Sequence, residues 1–341
     1  MSVEEIQFGM RTHPLISVIV PAYNAEPFLL TALTSAQAQT HRDLEIIIVN
    51  DGSTDDTLTI AQTAARSDHR VRVISQDNCG VAAARNRGLA EAHGEYVAPL
   101  DADDVWHPEN LALQLAALQA AGPGAAVSYA WHVVIDENAE LQAVGAHIQL
   151  TKKREILRAE CDGNFIGNAS STLIRREAIE QVGGYDCSLR ARHGQGCEDQ
   201  ALYMTLAERW DFAFVPQYLI AYRNHPLSMS KDSAQMNRSY LLALADLRRR
   251  RPDLPAYWFG HGVARLHEPD LTRALRRREW RNVGSVLARA ANDGNWCLID
   301  LVGRRLPPRA IGFCIRRFLG RNGNQKKPHN PVDVFWADAT P

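Results

Sequence analysis

Four short apolar runs, each ending on a polar or acidic residue, constrain this chain more than any other feature. Leu15–Pro21 (LISVIVP) and Leu44–Asn50 (LEIIIVN) are continuous apolar stretches of strand length, and Val71–Ser75 and Glu95–Leu100 (EYVAPL) follow at similar spacing. A strand buried on both faces reads this way, because neither face needs alternating polar residues. Helical patterns lie between the runs. Asn24 is placed to cap a helix with Pro27 in its first turn and Phe28, Leu29, Ala32, Leu33 and Ala36 on one side. Ser53–Asp56 reads as a second capped start, with acids where the helix dipole favours them. Val81–His93 is a third helix, stopped by Gly94, and Pro108–Ala121 a fourth, closed by Gly122-Pro123. Four β-α units in succession predict an α/β fold with a mostly parallel sheet and helices on both faces. Ligands of such sheets bind beyond the carboxyl ends of the strands, so the polar residues just after each run are the candidate site.

Composition narrows the function classes. The chain has 341 residues, with 38 Lys+Arg against 39 Asp+Glu and a formal net charge of −1, which argues against nucleic acid as a partner. No run approaches the roughly 20 apolar residues of a membrane span. The opening MSVEEIQFGMRTHP is too acidic and too poor in apolar residues for a signal peptide. Six Cys at 79, 161, 187, 197, 297 and 314 form no C-x-x-C pair, as expected of isolated reduced thiols in a cytoplasmic protein. No G-x-G-x-x-G follows the first strand, and no P-loop signature occurs anywhere.

Asp101, Asp103 and Asp104 after the fourth strand carry the strongest chemical signal. Three carboxylates within four residues repel one another unless a cation sits among them. Hard divalent ions such as Mg²⁺ and Mn²⁺ take oxygen ligands, often one or two carboxylates plus substrate phosphates. A turn with a helix cap before Pro108 would use the same residue type, and Asp104 suits that role best.

At this point the chain resembles a known family. VIVPAYNAEPFL, IIIVNDGSTDDT, GVAAARNRGLAEAHGEYVAPLDADD and CEDQALYMTLA, in that order, are similar to the motifs of family-2 glycosyltransferases of the GT-A fold. The resemblance runs from about Leu15 to about Ser230. It implies a Rossmann-like GT-A domain that transfers a sugar from a nucleotide sugar, most often a UDP-sugar, with inversion and with help from Mn²⁺ or Mg²⁺. Under it, Pro21, Ala22, Tyr23 and Asn24 line the nucleobase pocket, where Tyr23 can stack on a base. Asp51 takes the base edge, since uracil offers an N3–H donor. Arg85 faces the base or the phosphates. Asp101, Ala102 and Asp103 form the D-x-D motif, with Asp103 on the metal. Asp199, the second acid of Glu198-Asp199, is the general base, and Glu198 is structural. Tyr222–His225 with Ser228 and Ser230 resembles a late family motif, making His225 a metal ligand or diphosphate donor and Arg223 a phosphate contact. Val182–Asp186 resembles the G-G-[FY]-D turn and puts the loop Cys187–Cys197 on the acceptor side. No Q-x-x-R-W motif of the processive synthases is present. That departure implies transfer of single sugars or short chains to a glycan or lipid-linked acceptor in glycan or surface-polysaccharide biosynthesis.

Beyond residue 235 the character changes. The expected division is a catalytic domain at 1–235 and a mainly helical, basic C-terminal region at 236–341, in which residues 261–330 carry 15 Lys or Arg against 5 Asp or Glu. Asn295–Val302 and Arg309–Leu319 set apolar residues between arginines. Two readings stay open: a helical subdomain packed on the catalytic domain, or an interfacial helix giving peripheral contact with the inner membrane face. Two other functions compete with transfer. Leu100–Val105 loosely fits the nucleophile motif of haloacid-dehalogenase-like phosphatases, and a catalytically inactive nucleotide-sugar-binding module would keep the same fold.

Overall fold

The computed structural model describes residues 14–145, 148–277, 279 and 281–286. In chain order the elements are β1 (Ile16–Ala22), α1 (Leu29–Gln37), β2 (Leu44–Asp51), α2 (Thr57–Ser67), β3 (Val71–Gln76), α3 (Val81–Ala90), β4 (Tyr96–Pro99), β5 (Val105–Trp106), α4 (Asn110–Ala120), β6 (Ala125–Ile135), β7 (Leu141–Val144), α5 (Lys153–Asp162), β8 (Thr172–Arg175), α6 (Arg176–Gln181), α7 (Ser188–Ala191), α8 (Glu198–Ala207), β9 (Asp211–Arg223), α9 (Ser233–Arg250) and α10 (Ala256–Arg276). Short 3₁₀ turns occupy Ala169–Ser171 and Met229–Lys231. The chain divides into two compact units, Met1–Phe259 and Gly260–Pro341. Helix α9 lies in the first, where the Tyr240 hydroxyl donates to the Cys161 carbonyl at 2.5 Å. The segments 295–302 and 309–319 lie outside the described residues.

The four apolar runs are the four strands β1–β4. They pair in parallel as β3-β2-β1-β4, with Val18 opposite Ile46 on one side and Ala98 on the other. Every residue of β1 is buried. Alternate residues serve opposite faces: Val18 and Val20 join Leu29, Leu33 and Ala36 of α1 in one core, while Ile19 meets α3. A Cβ at Gly88 of α3 would overlap the Ile19 side chain, so glycine is what lets this helix press close to the sheet. Full burial of a residue such as Leu33 contributes about 1.5–3 kcal/mol.

The helix starts differ from the capping predicted for them. Helix α1 begins at Leu29, and Asn24 has a left-handed backbone with φ 48°. Its side-chain oxygen accepts the Thr54 N–H at 2.9 Å, so it latches the loop after β1 to the loop after β2. Asn tolerates that conformation, which explains why it sits there without capping α1. Helix α2 starts at Thr57, and Asp55 accepts the Thr57 N–H at 3.1 Å.

The other half of the sheet is mixed. β8 joins β4 antiparallel, β6 joins β8 antiparallel, and β9 runs parallel to β6. β5 pairs antiparallel with the end of β9, Val105 opposite Ala221 and Trp106 opposite Ile220. This pairing places the site: it brings the turn Asp101–Asp104, between β4 and β5, against the last residues of β9.

Candidate active site

Arg85 organises one side of the site. It is 2% exposed and points from α3 to two carboxylates. Nη2 reaches Asp101 at 2.5 Å, and Nη1 reaches Glu198 at 2.5 Å. Its guanidinium also lies 5.3 Å from the Tyr185 ring centre. Burial opposes the charge, but Asp101 and Glu198 overcome it and hold the group firmly protonated. The next residue, Asn86, exchanges two 2.8 Å hydrogen bonds with the Tyr185 backbone, which docks the Gly183-Gly184-Tyr185 turn onto α3. Arg85, expected to face base or phosphate, is here paired with the buried Glu198 and the part-buried Asp101.

Glu198 and Asp199 open α8 as expected, both buried. Asp199 is 7% exposed. Burial, then the neighbouring Glu198, push its carboxyl up to about 7, against the opposing pull of Arg85. Its Oδ1 accepts the Gln200 N–H at 2.7 Å and its Oδ2 accepts the Asn164 amide at 3.3 Å.

The other side is built on Asp103. Its Oδ2 lies 3.0 Å from His225 Nε2, joining two sequence candidates across 122 positions. The His225 ring packs on Phe28, centres 4.6 Å apart, and its Nδ1 accepts the Leu227 N–H at 3.3 Å. Arg223 is buried, with Nε on the Asp103 carbonyl at 2.8 Å and Nη1 on the Asp136 carbonyl at 2.8 Å. These bonds make it a strut for the acidic turn.

Asp104 is 0% exposed and does not cap α4. It accepts the Ser170 hydroxyl at 2.6 Å and the Arg223 N–H at 2.9 Å. Burial and the charges of Asp103 and Asp101 push its carboxyl well above the usual range. Ser170 in turn accepts the Asp101 N–H at 3.0 Å, so one hydroxyl spans both ends of the turn.

At the other strand ends, Pro21 and Ala22 are buried and Asn24 is exposed. Tyr23 is 53% exposed, so its ring is available to a ligand rather than part of the core. Asp51 is buried, and its oxygens accept Gln76 Nε2 at 2.8 Å, the Cys79 N–H at 2.9 Å and the Gly80 N–H at 2.8 Å. It holds the entry to α3, from which Arg85 projects. Tyr185 lies in the Gly-Gly-Tyr-Asp turn singled out in the sequence, whereas Ser170, Asn164 and Glu160 are absent from that reading and no local pattern marks them.

Among the described residues, no group of three or more His, Cys, Asp or Glu is arranged to hold a metal ion. Asp103 and His225 supply one carboxylate oxygen and one imidazole nitrogen, 3.0 Å apart. A hard divalent ion commonly keeps only one or two protein ligands and takes the rest from phosphate and water. Two donors of this kind fit an ion that arrives with a phosphorylated ligand.

Residues 17–183 match the family model described as Glycosyl transferase family 2. This match, over just under half of the chain, supports a family-2 glycosyltransferase. A Bacillus subtilis (strain 168) protein, EpsH, provisionally classed as a glycosyltransferase, is 35% identical over 175 residues, covering 49% of this chain and 48% of that protein. The chondroitin synthase of Escherichia coli is 43% identical over 102 residues, 30% of this chain and 15% of the synthase. The chain therefore spans less than half the length of these relatives. Among solved structures, Staphylococcus aureus TarS 1–349 with UDP-GlcNAc aligns with TM-score 0.61 and 17% identity over 81% of this chain and 80% of that one. The mannosyltransferase PcManGT of Pyrobaculum calidifontis, with GDP-Man and Mn²⁺, aligns with TM-score 0.53 and 20% identity over 89% and 84%. At these identities the likeness concerns the fold, and it bears out the GT-A class. The family-2 match replaces the phosphatase reading of Leu100–Val105: Asp101, the residue that would be its nucleophile, is paired with Arg85. No described helix is long and apolar enough to cross a membrane.

Proposed function

We propose that this glycosyltransferase moves a sugar from a nucleotide sugar, with a UDP-sugar as the expected donor, to an acceptor hydroxyl with inversion. One observation carries the reading. Arg85 ties the D-x-D carboxylate Asp101 to Glu198, the neighbour of Asp199, so the acids for the leaving group and for the acceptor share one site. Asp199, raised to about 7, is matched to taking a proton near neutral pH. As the acceptor oxygen bonds to the anomeric carbon, Asp199 takes the hydroxyl proton, and the bond to the diphosphate breaks on the opposite face. The electron pair leaves on the diphosphate oxygen. Glu198 holds Arg85 and takes no proton. Tyr23 stacks on the base, with Pro21, Ala22 and Asn24 beside it, and Asp51 shapes the pocket floor. Asp103 and His225 would hold Mn²⁺ or Mg²⁺, which supplies charge neutralisation for the departing diphosphate. The nucleotide-sugar and Mn²⁺ complexes of TarS and PcManGT support this donor class.

The acceptor we propose is a glycan or lipid-linked sugar of a surface polysaccharide, reached at the inner face of the membrane with help from the basic region after residue 235. Thermal shift against a panel of nucleotide sugars, with Mn²⁺, with Mg²⁺ and with EDTA, tests the donor site. Metal-dependent stabilisation by one nucleotide sugar is expected, about 2.7 kcal/mol at 100 times its Kd. It is expected to vanish in Asp103→Ala. A folded sample unmoved by the whole panel would refute the reading.

A further inference from the structure

Asp199 is held from two directions. Its Oδ1 takes the N–H of Gln200 on its own helix at 2.7 Å, and its Oδ2 takes the side-chain amide of Asn164 at 3.3 Å. Asn164 lies just past the end of α5, and its carbonyl oxygen accepts the Gly167 N–H at 2.8 Å. That second bond decides which end of the amide faces the carboxylate, because the oxygen is already committed and the NH₂ is left for Asp199. The turn itself is fixed independently of Asp199. Gly167 has φ 98°, and a Cβ there would run into the His132 ring. Phe165 packs edge-on to Tyr129 with ring centres 5.6 Å apart. The donor is therefore presented by a rigid turn rather than by a freely rotating side chain.

The groups facing Asp199 leave this amide a distinct part. They are Cys197, Glu198 and Tyr203 of the α8 segment, Arg85 of α3, Asp101 after β4, Tyr185 of the Gly-Gly turn and Glu160 of α5. Arg85 is the cation in this set, and both its charged contacts go to Asp101 and Glu198. Glu160 is fully buried. Burial, then the Asp199 charge, hold its carboxyl well above the ordinary range. A neutral donor favours the ionised form of its neighbour while leaving it basic, whereas a second cation would pull its proton affinity down much further.

We infer that Asn164 is a positioning residue for the base, orienting the Asp199 carboxylate toward the acceptor hydroxyl and favouring its ionised form. This rests on the reading of Asp199 as the base. The test is a ¹³C NMR titration of the full chain labelled at aspartate carboxyls, in which the Asp199 resonance is the one missing from Asp199→Asn. In Asn164→Ala the Asp199 midpoint is expected to rise by about half to one pH unit. Phe165→Leu disturbs the same turn without touching the base, and is expected to leave the midpoint in place. An unchanged midpoint in Asn164→Ala, or an equal rise in Phe165→Leu, overturns the inference. The base reading fails separately, if Asp199→Asn still transfers sugar at the native rate.

Discussion

The two carboxylates of the Asp101-x-Asp103 turn keep different company. Asp101 is ion-paired within the protein, at 2.5 Å to an Arg85 that also holds Glu198. Asp103 meets the imidazole of His225 at 3.0 Å. One carboxylate is thus held in a triad of one guanidinium and two carboxylates, and the other faces an imidazole. The two acids of the D-x-D turn are therefore not equivalent: the first shares Arg85 with Glu198, the neighbour of the proposed base, and the second stands beside His225.

Four measurements would break or sharpen that division. The largest effect is expected from Asp199→Asn, which should reduce transfer by about 10²–10⁴-fold while leaving nucleotide binding intact. Arg85→Met comes next. It leaves the buried Glu198 and the part-buried Asp101 without their partner, and denaturant unfolding should show a loss of about 3 kcal/mol. A loss below 1 kcal/mol would mean that the triad is not what binds the two acids together. The third compares Asp103→Asn with Asp101→Asn by thermal shift with diphosphate nucleotide and Mn²⁺. The metal-dependent shift should disappear in Asp103→Asn and survive in part in Asp101→Asn. Equal loss in both would abolish the distinction.

The fourth measurement is a slope against pH. The Asp199 carboxyl is raised in the folded protein to about 7, from an ordinary 3.8. Between about pH 4 and 7 the unfolded chain therefore releases this proton while the folded chain keeps it. The group's contribution to stability falls as pH rises through that window and is constant above it. Transfer, which needs the ionised form, should rise through the upper part of the same window. Thermal midpoints measured across pH 4–7 should fall less steeply in Asp199→Asn than in the native protein.

The parallel half of the molecule was legible because its information is local. Continuous apolar runs such as IIIV in β2 can only be strands buried on both faces, and the turns after them carry their own polar signatures. The mixed half was not. β5 has two residues, and it exists because Val105 and Trp106 find Ala221 and Ile220 more than a hundred positions later. The site divides the same way. Asp103, His225, Asp199 and Arg85 were legible as chemistry, but the partnerships of Arg85 with Glu198 and of Asp103 with His225 span 113 and 122 positions. Ser170, Asn164 and Glu160 carry no local pattern at all: a serine on a 3₁₀ turn, an asparagine after a glycine and an acid in an amphipathic helix acquire meaning only from what folds against them.

Asp104 has a consequence for how this sequence can vary. Turns at the surface usually tolerate an added or lost residue. Here the last acid of the turn is locked to Ser170 and to the Arg223 amide, and the first is salt-bridged to Arg85. The turn is indexed at both ends, like a key cut to one length. Removing one residue between Leu100 and Val105 would draw Asp103 toward the place of Asp104 and leave His225 facing no carboxylate. Substitutions within the turn are therefore open to selection one at a time, while changes in its length are closed.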